Sequence, residues 1–392
     1  MKSYYHKILI LFVLIVISCD SNDSNVKGFD NVISHPVENP NIELSNYIDV
    51  HAFPDNVEGH SQLSTYLEIK DVSTTIGDLA GSNDYMFGEI TDAIIDDHGR
   101  LIVLDKQQHA IKVFDKEGSY LRTIGRYGKG PGEFIQPKKM YIQDSLLYAI
   151  DKQPRIQVFN YLSGDLVLTK IFNYFPNDFC VIDNFVFMNV DYYTTQFSKK
   201  GKIHQFELNN DTALTYQKSF GALYPHSIDY ISQDFSKVTL ECLQKPGYII
   251  ASNDIFPFFE IYNKMGNLES KFYISDFISS GVYEVELNGK SGIYFKNSEE
   301  KHHRRVSLFT DKKKNKFYIQ FSYGDATPSM SISKIFERTK LYTIEIDPDS
   351  KSIQTLIDNQ ILPIFDLTDK YVVATDIENY LEFESIKVFK RD

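Results

Sequence analysis

Along residues 85–390 the apolar positions come in short runs bounded by Gly, Asn, Asp and Lys, and amphipathic stretches of helical period are almost absent. β-branched and aromatic residues fill these runs, which predicts strands joined by tight turns. Residues 101–114, LIVLDKQQHAIKVF, and residues 147–159, LYAIDKQPRIQVF, share one template: an apolar strand ending Asp-Lys-Gln, a turn, then a strand ending Val-Phe. Phe114 and Phe159 lie 45 residues apart, and matching strand ends follow at Phe206, Tyr262, Ile346 and Phe389. A turn aspartate precedes the apolar strand at Asp97, Asp144, Asp183, Asp311 and Asp369. A period of about 40–50 residues with several strands in each repeat predicts the blades of a β-propeller.

The fold class is therefore all-β, a propeller of six four-stranded blades. Inner strands are expected near residues 90–96, 138–143, 177–182, 237–243, 304–310 and 361–367. Only three strands remain for the last blade, so the segment Tyr66–Val72 is expected to supply its fourth and close the ring, removing an exposed edge. The 84 residues from Tyr262 to Ile346 are nearly two periods, which keeps seven blades as an alternative. Six is preferred, with residues 276–300 as an excursion, because SSGVYEVELNGKSG carries too few turn marks for another blade.

A different pattern opens the chain. Lys2 and Lys7 precede ten uninterrupted apolar residues, Ile8 to Ile17. Ten is too short for a bilayer core, which needs about 20, so residues 1–18 read as a signal peptide. Val16-Ile17-Ser18-Cys19 resembles a bacterial lipobox, and the resemblance implies cleavage before Cys19 and its lipidation. Several acyl chains, at about 0.8 kcal/mol per buried methylene, hold a soluble domain on a membrane. The polar stretch that follows reads as a flexible tether, giving a lipidated and tethered region over residues 19–60 and a propeller over residues 61–392. Asp20 and Asp23 resemble a surface-export signal, while Asp20, at the second mature position, also resembles an inner-membrane retention signal, so the final leaflet is left open, with the outer membrane preferred.

The stretch GRYGKGPGEFIQP (residues 125–137), the strand after it, Asp151, and Arg155-Ile156-Gln157-Val158-Phe159 resemble an NHL-type repeat. The whole chain resembles the six-bladed β-propeller lipoproteins of Gram-negative bacteria, a group whose members mostly lack an assigned activity. The motif covers residues 85–172. Later blades are placed by hydrophobic pattern alone.

Composition narrows the chemistry. The 392 residues hold 53 acidic and 41 basic side chains, a net charge of −12, and loss of Lys2 and Lys7 with the signal takes it to −14. Such a surface repels phosphate backbones, and no clustered Lys and Arg offset it, so nucleic acid is excluded as a partner. The 26 Tyr and 29 Phe exclude disorder and supply wedges between blades. Cys180 and Cys242 lie in apolar runs about one repeat apart. Two buried free thiols are the preferred reading, although an exported chain permits a disulfide.

No catalytic motif appears: neither a Gly-x-Ser-x-Gly elbow nor a zinc-ligand spacing is present, and His302-His303 would face opposite sides of a strand. No catalytic residue, metal ligand or cofactor is assigned. Gly125, Gly128, Gly130 and Gly132 with Lys129 lack the Ser or Thr and the helix of a P-loop, and read as a connection between blades. Asp105 and Asp151 read as turn-holding carboxylates, the second paired to Arg155. Two candidate sites remain. Asp92, Asp178, Glu241 and Asp366, on inner strands, could gather a divalent cation in the channel if they are not solvated rim residues. Arg126, Tyr127 and Lys129 form a cationic, aromatic loop suited to an anionic partner. The leading expectation is a lipid-anchored binding or scaffold protein of the cell envelope, with a peptide, glycan or protein partner, and a place in a surface uptake system as a special case. The alternative is a cation-dependent lactonase- or lyase-like enzyme using the channel carboxylates.

Overall fold

The structure, a computed structural model, describes residues 33–36, 43–54, 58–191, 200–209, 213–279, 282–287, 290–295, 301–324, 340–358, 363–376 and 383–392. The signal segment and Cys19 lie outside the described residues.

Six four-stranded antiparallel meanders surround an axis, each running from an inner to an outer strand. The inner strands are Ile90–Ile95, Lys139–Gln143, Phe175–Ile182, Val238–Leu243, His302–Asp311 and Ile364–Leu367, all at their expected places. The repeated Phe114, Phe159, Phe206, Tyr262, Ile346 and Phe389 all fall on the third strand of a blade. The turn aspartates fall at or just after the end of the first strand, where Asp144 and Asp183 adopt positive φ (54° and 53°). Asp311 there accepts the N–H groups of Lys313 and Lys314.

Closure is non-covalent. Ile69–Ile76 pairs antiparallel with the C-terminal strand Ile386–Arg391 as the outer strand of the sixth blade, a few residues beyond the expected segment. Arg391 fastens this joint through a buried pair with Asp311 (2.8 Å) and bonds to the carbonyls of Leu67 and Thr368. Apolar clusters fill the wedges between blades, for example Phe259, Phe272, Phe317 and Ile319 between the fourth and fifth.

The excursion between the fourth and fifth blades is a hairpin, Val282–Leu287 with Lys290–Phe295, and not a seventh blade. Ile33–Pro36 adds a third strand to it.

Two expectations are corrected. Cys180 and Cys242 are not free thiols: they form a disulfide joining the inner strands of the third and fourth blades. Both are fully buried, and their Cα atoms lie 5.6 Å apart, a separation that a disulfide spans. The tether was expected to run to residue 60, yet residues 44–53 are docked on the body. Ile48–Val50 pairs in parallel with Leu268–Ile274 as a fifth strand of the fourth blade. Asp276 then accepts the N–H groups of Ala52 (3.0 Å) and Phe53 (2.7 Å), and Phe53 stacks on His303 at 3.7 Å. Further on, Gln62 bridges to Ile357, and the single-turn helix Leu63–Tyr66 buries Leu63 between the fifth and sixth blades. The segment is a strap across three consecutive blades.

Candidate functional site

The channel carboxylates are not solvated rim groups; they are bonded within the ring. In the first, third and sixth blades the inner strand slips register one residue before Asp92, Asp178 and Asp366. A bulge there adds a residue and re-aims the next side chain. Each aspartate then accepts a backbone N–H from the next blade's inner strand: Asp92 from Met140 (2.9 Å), Asp178 from Leu240 (3.2 Å) and Asp366 from Ile95 (3.1 Å). In the fifth blade the slip precedes Ser307, and Gln320 substitutes, accepting the Ile364 N–H at 2.8 Å. Bulge and carboxylate together make a clamp between neighbouring blades.

Lys139 is the cation of this ring, and its ammonium lies 3.7 Å from Glu241, two blades away. Burial alone would lower its pKa; Asp178, Asp92, Glu241 and Asp366 outweigh that and keep it charged well above the usual lysine range. Burial pushes Asp178 and Asp366 up to about 6 and Glu241 up to about 7, Lys139 opposing the rise at Asp178 and Glu241 and Lys312 at Asp366. Asp92 is raised for the same first reason. The carboxylates are thus spent on backbone amides and on Lys139. Among the described residues no group of three or more His, Cys, Asp or Glu is arranged to hold a metal ion.

The loop from the first to the second blade is built from beneath. Gly125 has φ 82°, and a β-carbon on it would lie 2.4 Å from the Phe134 ring, so a larger residue is barred. Arg155, buried in the second blade, donates to the carbonyls of Lys129 and Gly130 (2.8 Å each) and of Glu133, and pairs with Asp151 at 3.0 Å. Asp151 also takes the Ile135 N–H, and Asp105 takes those of Gly88, Glu89 and Gln108, so both hold turns. Glu133 occupies the position an anion would take, accepting from the Gly130 N–H (2.9 Å) and from Arg126 (3.0 Å). This internal carboxylate explains why the glycines make no phosphate cradle. Above it Tyr127 is 69% exposed, its ring 4.9 Å from His109, and Lys129 is exposed.

Sequence reasoning missed a third feature, a cavity of about 320 Å³ beside the start of the fifth blade's inner strand. It is lined by Phe256, Phe258, Phe277 and Phe321 with His303, Arg304 and Arg305. The run of basic residues at 302–305 was its one sequence signal, and only His302-His303 was read there, for metal spacing.

Two solved structures share this architecture. A Bacteroides fragilis protein described as exported matches at 12% identity over 88% of this chain and 99% of its own, with a TM-score of 0.54. A Bacteroides vulgatus member of the DUF4221 family matches at 10% identity over 83% and 98%, with a TM-score of 0.52. At such identities the likeness is one of fold. No curated protein matches the sequence. The family described as a 6-bladed beta-propeller, DUF5128, matches residues 59–375, nearly the whole ring, and the chain belongs to that family.

Proposed function

We propose that the chain is a lipid-anchored binding or scaffold protein of the cell envelope that presents one face of a rigid ring to a peptide, glycan or protein partner. The observation that carries this reading is the loop over Arg155: a backbone fixed by buried hydrogen bonds that exposes an aromatic ring and two cations on an acidic body. A preformed loop loses little entropy when a partner arrives, and Tyr is effective at interfaces because its ring is large and stiff. Arg126 shares its charge with Glu133, so Tyr127 and Lys129 are the main contacts. The lipobox-like Val16–Cys19 supports export and anchoring, and the Bacteroides fragilis protein of the same fold is described as exported. The outer membrane is the preferred site, and a surface uptake complex is one setting for such a scaffold.

The test compares wild type with an Arg126→Ala, Lys129→Ala double variant and with Tyr127→Ala, by cross-linking in intact cells. A partner held by wild type is expected to be lost from both variants while their thermal transitions are unchanged. Equal capture by all three would make the loop a connector only.

A further inference from the structure

The outer strand of a blade ends its sheet, so one row of its backbone N–H and C=O groups has no partner within the blade. The chain treats its six edges differently. Those of the fourth and fifth blades are covered by the strap. Ile48–Val50 pairs with Leu268–Ile274, and along Ser352–Asp358 the Ile357 N–H donates to the Ser61 carbonyl (3.0 Å). Exposed polar side chains mark two more, Thr215 and Gln217 in the third blade and Lys70 and Asp71 in the sixth. In the first, Leu121 shares a five-residue strand with Arg122 and Thr123. The second blade differs. Its outer strand, Leu166–Ile171, exposes Leu166 (38%), Val167 (36%) and Ile171 (72%), so every exposed side chain on it is apolar.

The backbone of that strand is set for a partner. Its inner side pairs Ile171 with Arg155 and Thr169 with Gln157, and the Phe172 N–H bonds to the Pro154 carbonyl (2.7 Å). Bonded and non-bonded residues alternate along an antiparallel ladder, so Thr169 and Ile171 turn their N–H and C=O groups away from the blade. A register shift leaves Val167 without a partner in the ladder. Among the described residues nothing bonds to these outward groups. An open edge of this kind accepts an added strand, as the fourth blade accepts Ile48–Val50.

We propose that this edge pairs antiparallel with the same strand of a second copy of the chain, with Thr169 on the twofold axis. The strand matches itself in that register. Ile171 faces the second copy's Val167, both β-branched and apolar, while Thr169 faces Thr169 and Lys170 faces Leu168. Moving the axis one residue forward sets Lys170 against its own copy, and one residue back sets Ile171 against Asp165.

The twist of the blade makes such a dimer compatible with one membrane. Successive strands turn by roughly 20–25°, so three steps turn the outer strand roughly 60–75° from the inner strand that runs along the channel. The twofold of the pair stands perpendicular to the local sheet, and at the outer edge that direction lies closer to the ring axis than to the ring plane. Two rings then lie side by side with the same faces on the same side. One strand pair is a small interface, so the dimer is weak and depends on concentration. It uses neither the Tyr127 loop nor the lipid anchor, and its failure would leave both readings untouched.

The experiment is disulfide trapping of the full chain in intact cells, read on non-reducing gels. Opposed residues of a bonded antiparallel pair have Cα atoms about 5.5 Å apart, within reach of a disulfide. Thr169→Cys should therefore give a covalent dimer. A copy with Val167→Cys should cross-link to a copy with Ile171→Cys when the two are expressed together. Thr215→Cys, on the exposed edge of the third blade, should give none. Adding Ile171→Lys to Thr169→Cys puts a charge on the edge and should abolish the dimer, while the thermal transition is unchanged because Ile171 is exposed. The pairing would be overturned by no dimer from Thr169→Cys, an equal yield from Thr215→Cys, a yield unmoved by Ile171→Lys, or an adduct with a different protein.

Discussion

An aspartate removed from water beside a backbone amide keeps its charge only at a cost, and the channel repeats that situation three times around one lysine. Folding raises Asp178 and Asp366 from 3.8 to about 6 and Glu241 from 4.5 to about 7. Between these limits the folded chain holds protons that the unfolded chain has released, so the stability they contribute is full below the unfolded values and is lost as pH rises through the folded ones. His303 and His204, pushed down to about 4 and about 3 by burial, act in the opposite sense: their contribution is present above the unfolded value of 6.5 and is lost as pH falls. A variant comparison removes that opposing background. Glu241→Gln should have a urea midpoint close to wild type at pH 5 and clearly above it at pH 8, because only wild type then carries the extra buried charge. A difference that does not change with pH would show that Glu241 does not titrate in this window. The group titrates as a coupled set, so the shift belongs to the ring of carboxylates as well as to Glu241.

At the scale of elements, the strap and the closing strand make different demands. Deleting residues 69–76 leaves the C-terminal strand as an open edge and uncovers the wedge behind it, so cooperative unfolding should be lost. Phe53→Ala removes a ring stacked on His303 and packed against Phe321 and Tyr342, and should lower stability by about 2–4 kcal/mol while the ring stays closed. Calorimetry distinguishes them: a displaced single transition for Phe53→Ala, and a broadened or absent one for the deletion.

The blades were legible in the sequence because an aspartate turn between an inner strand and an apolar second strand is a local signal, and its five recurrences reinforce one another. The strap was not. Its anchors Tyr47, Val50, Ala52 and Phe53 are scattered among polar residues, and the surfaces they cover are supplied by chain more than 200 residues away, such as Asp276 and Phe258. The pairing of Cys180 with Cys242 is likewise a property of the ring, which brings two inner strands side by side. The channel carboxylates were visible by residue type, but the bulges that turn them onto the next blade leave no mark in composition. The cavity was hidden for a related reason: Phe256, Phe277 and His303 converge only after two blades have packed.

For the whole molecule, the reading as an anchored scaffold turns on Cys19. Cys19→Ala should move the protein from the membrane to the soluble fraction, or leave an uncleaved precursor, and mass spectrometry of membrane-bound wild type should show acyl chains on that residue. An unmodified Cys19 in the membrane fraction would end the anchoring proposal.

The strap also decides how the ring bears load. A pull entering from the N-terminal side meets first the strand Ile33–Pro36 on the excursion hairpin, next the fourth blade at Ile48–Val50 and the Asp276 clamp, then the fifth, and only afterwards the strand that closes the sixth. The fourth blade is also the one tied covalently to the third. Shear from the surroundings is therefore spread into the part of the ring that cannot slide apart, and the non-covalent seam is the last to be stressed. If the ring is held from its N-terminal side, as proposed, this arrangement is its own strain relief.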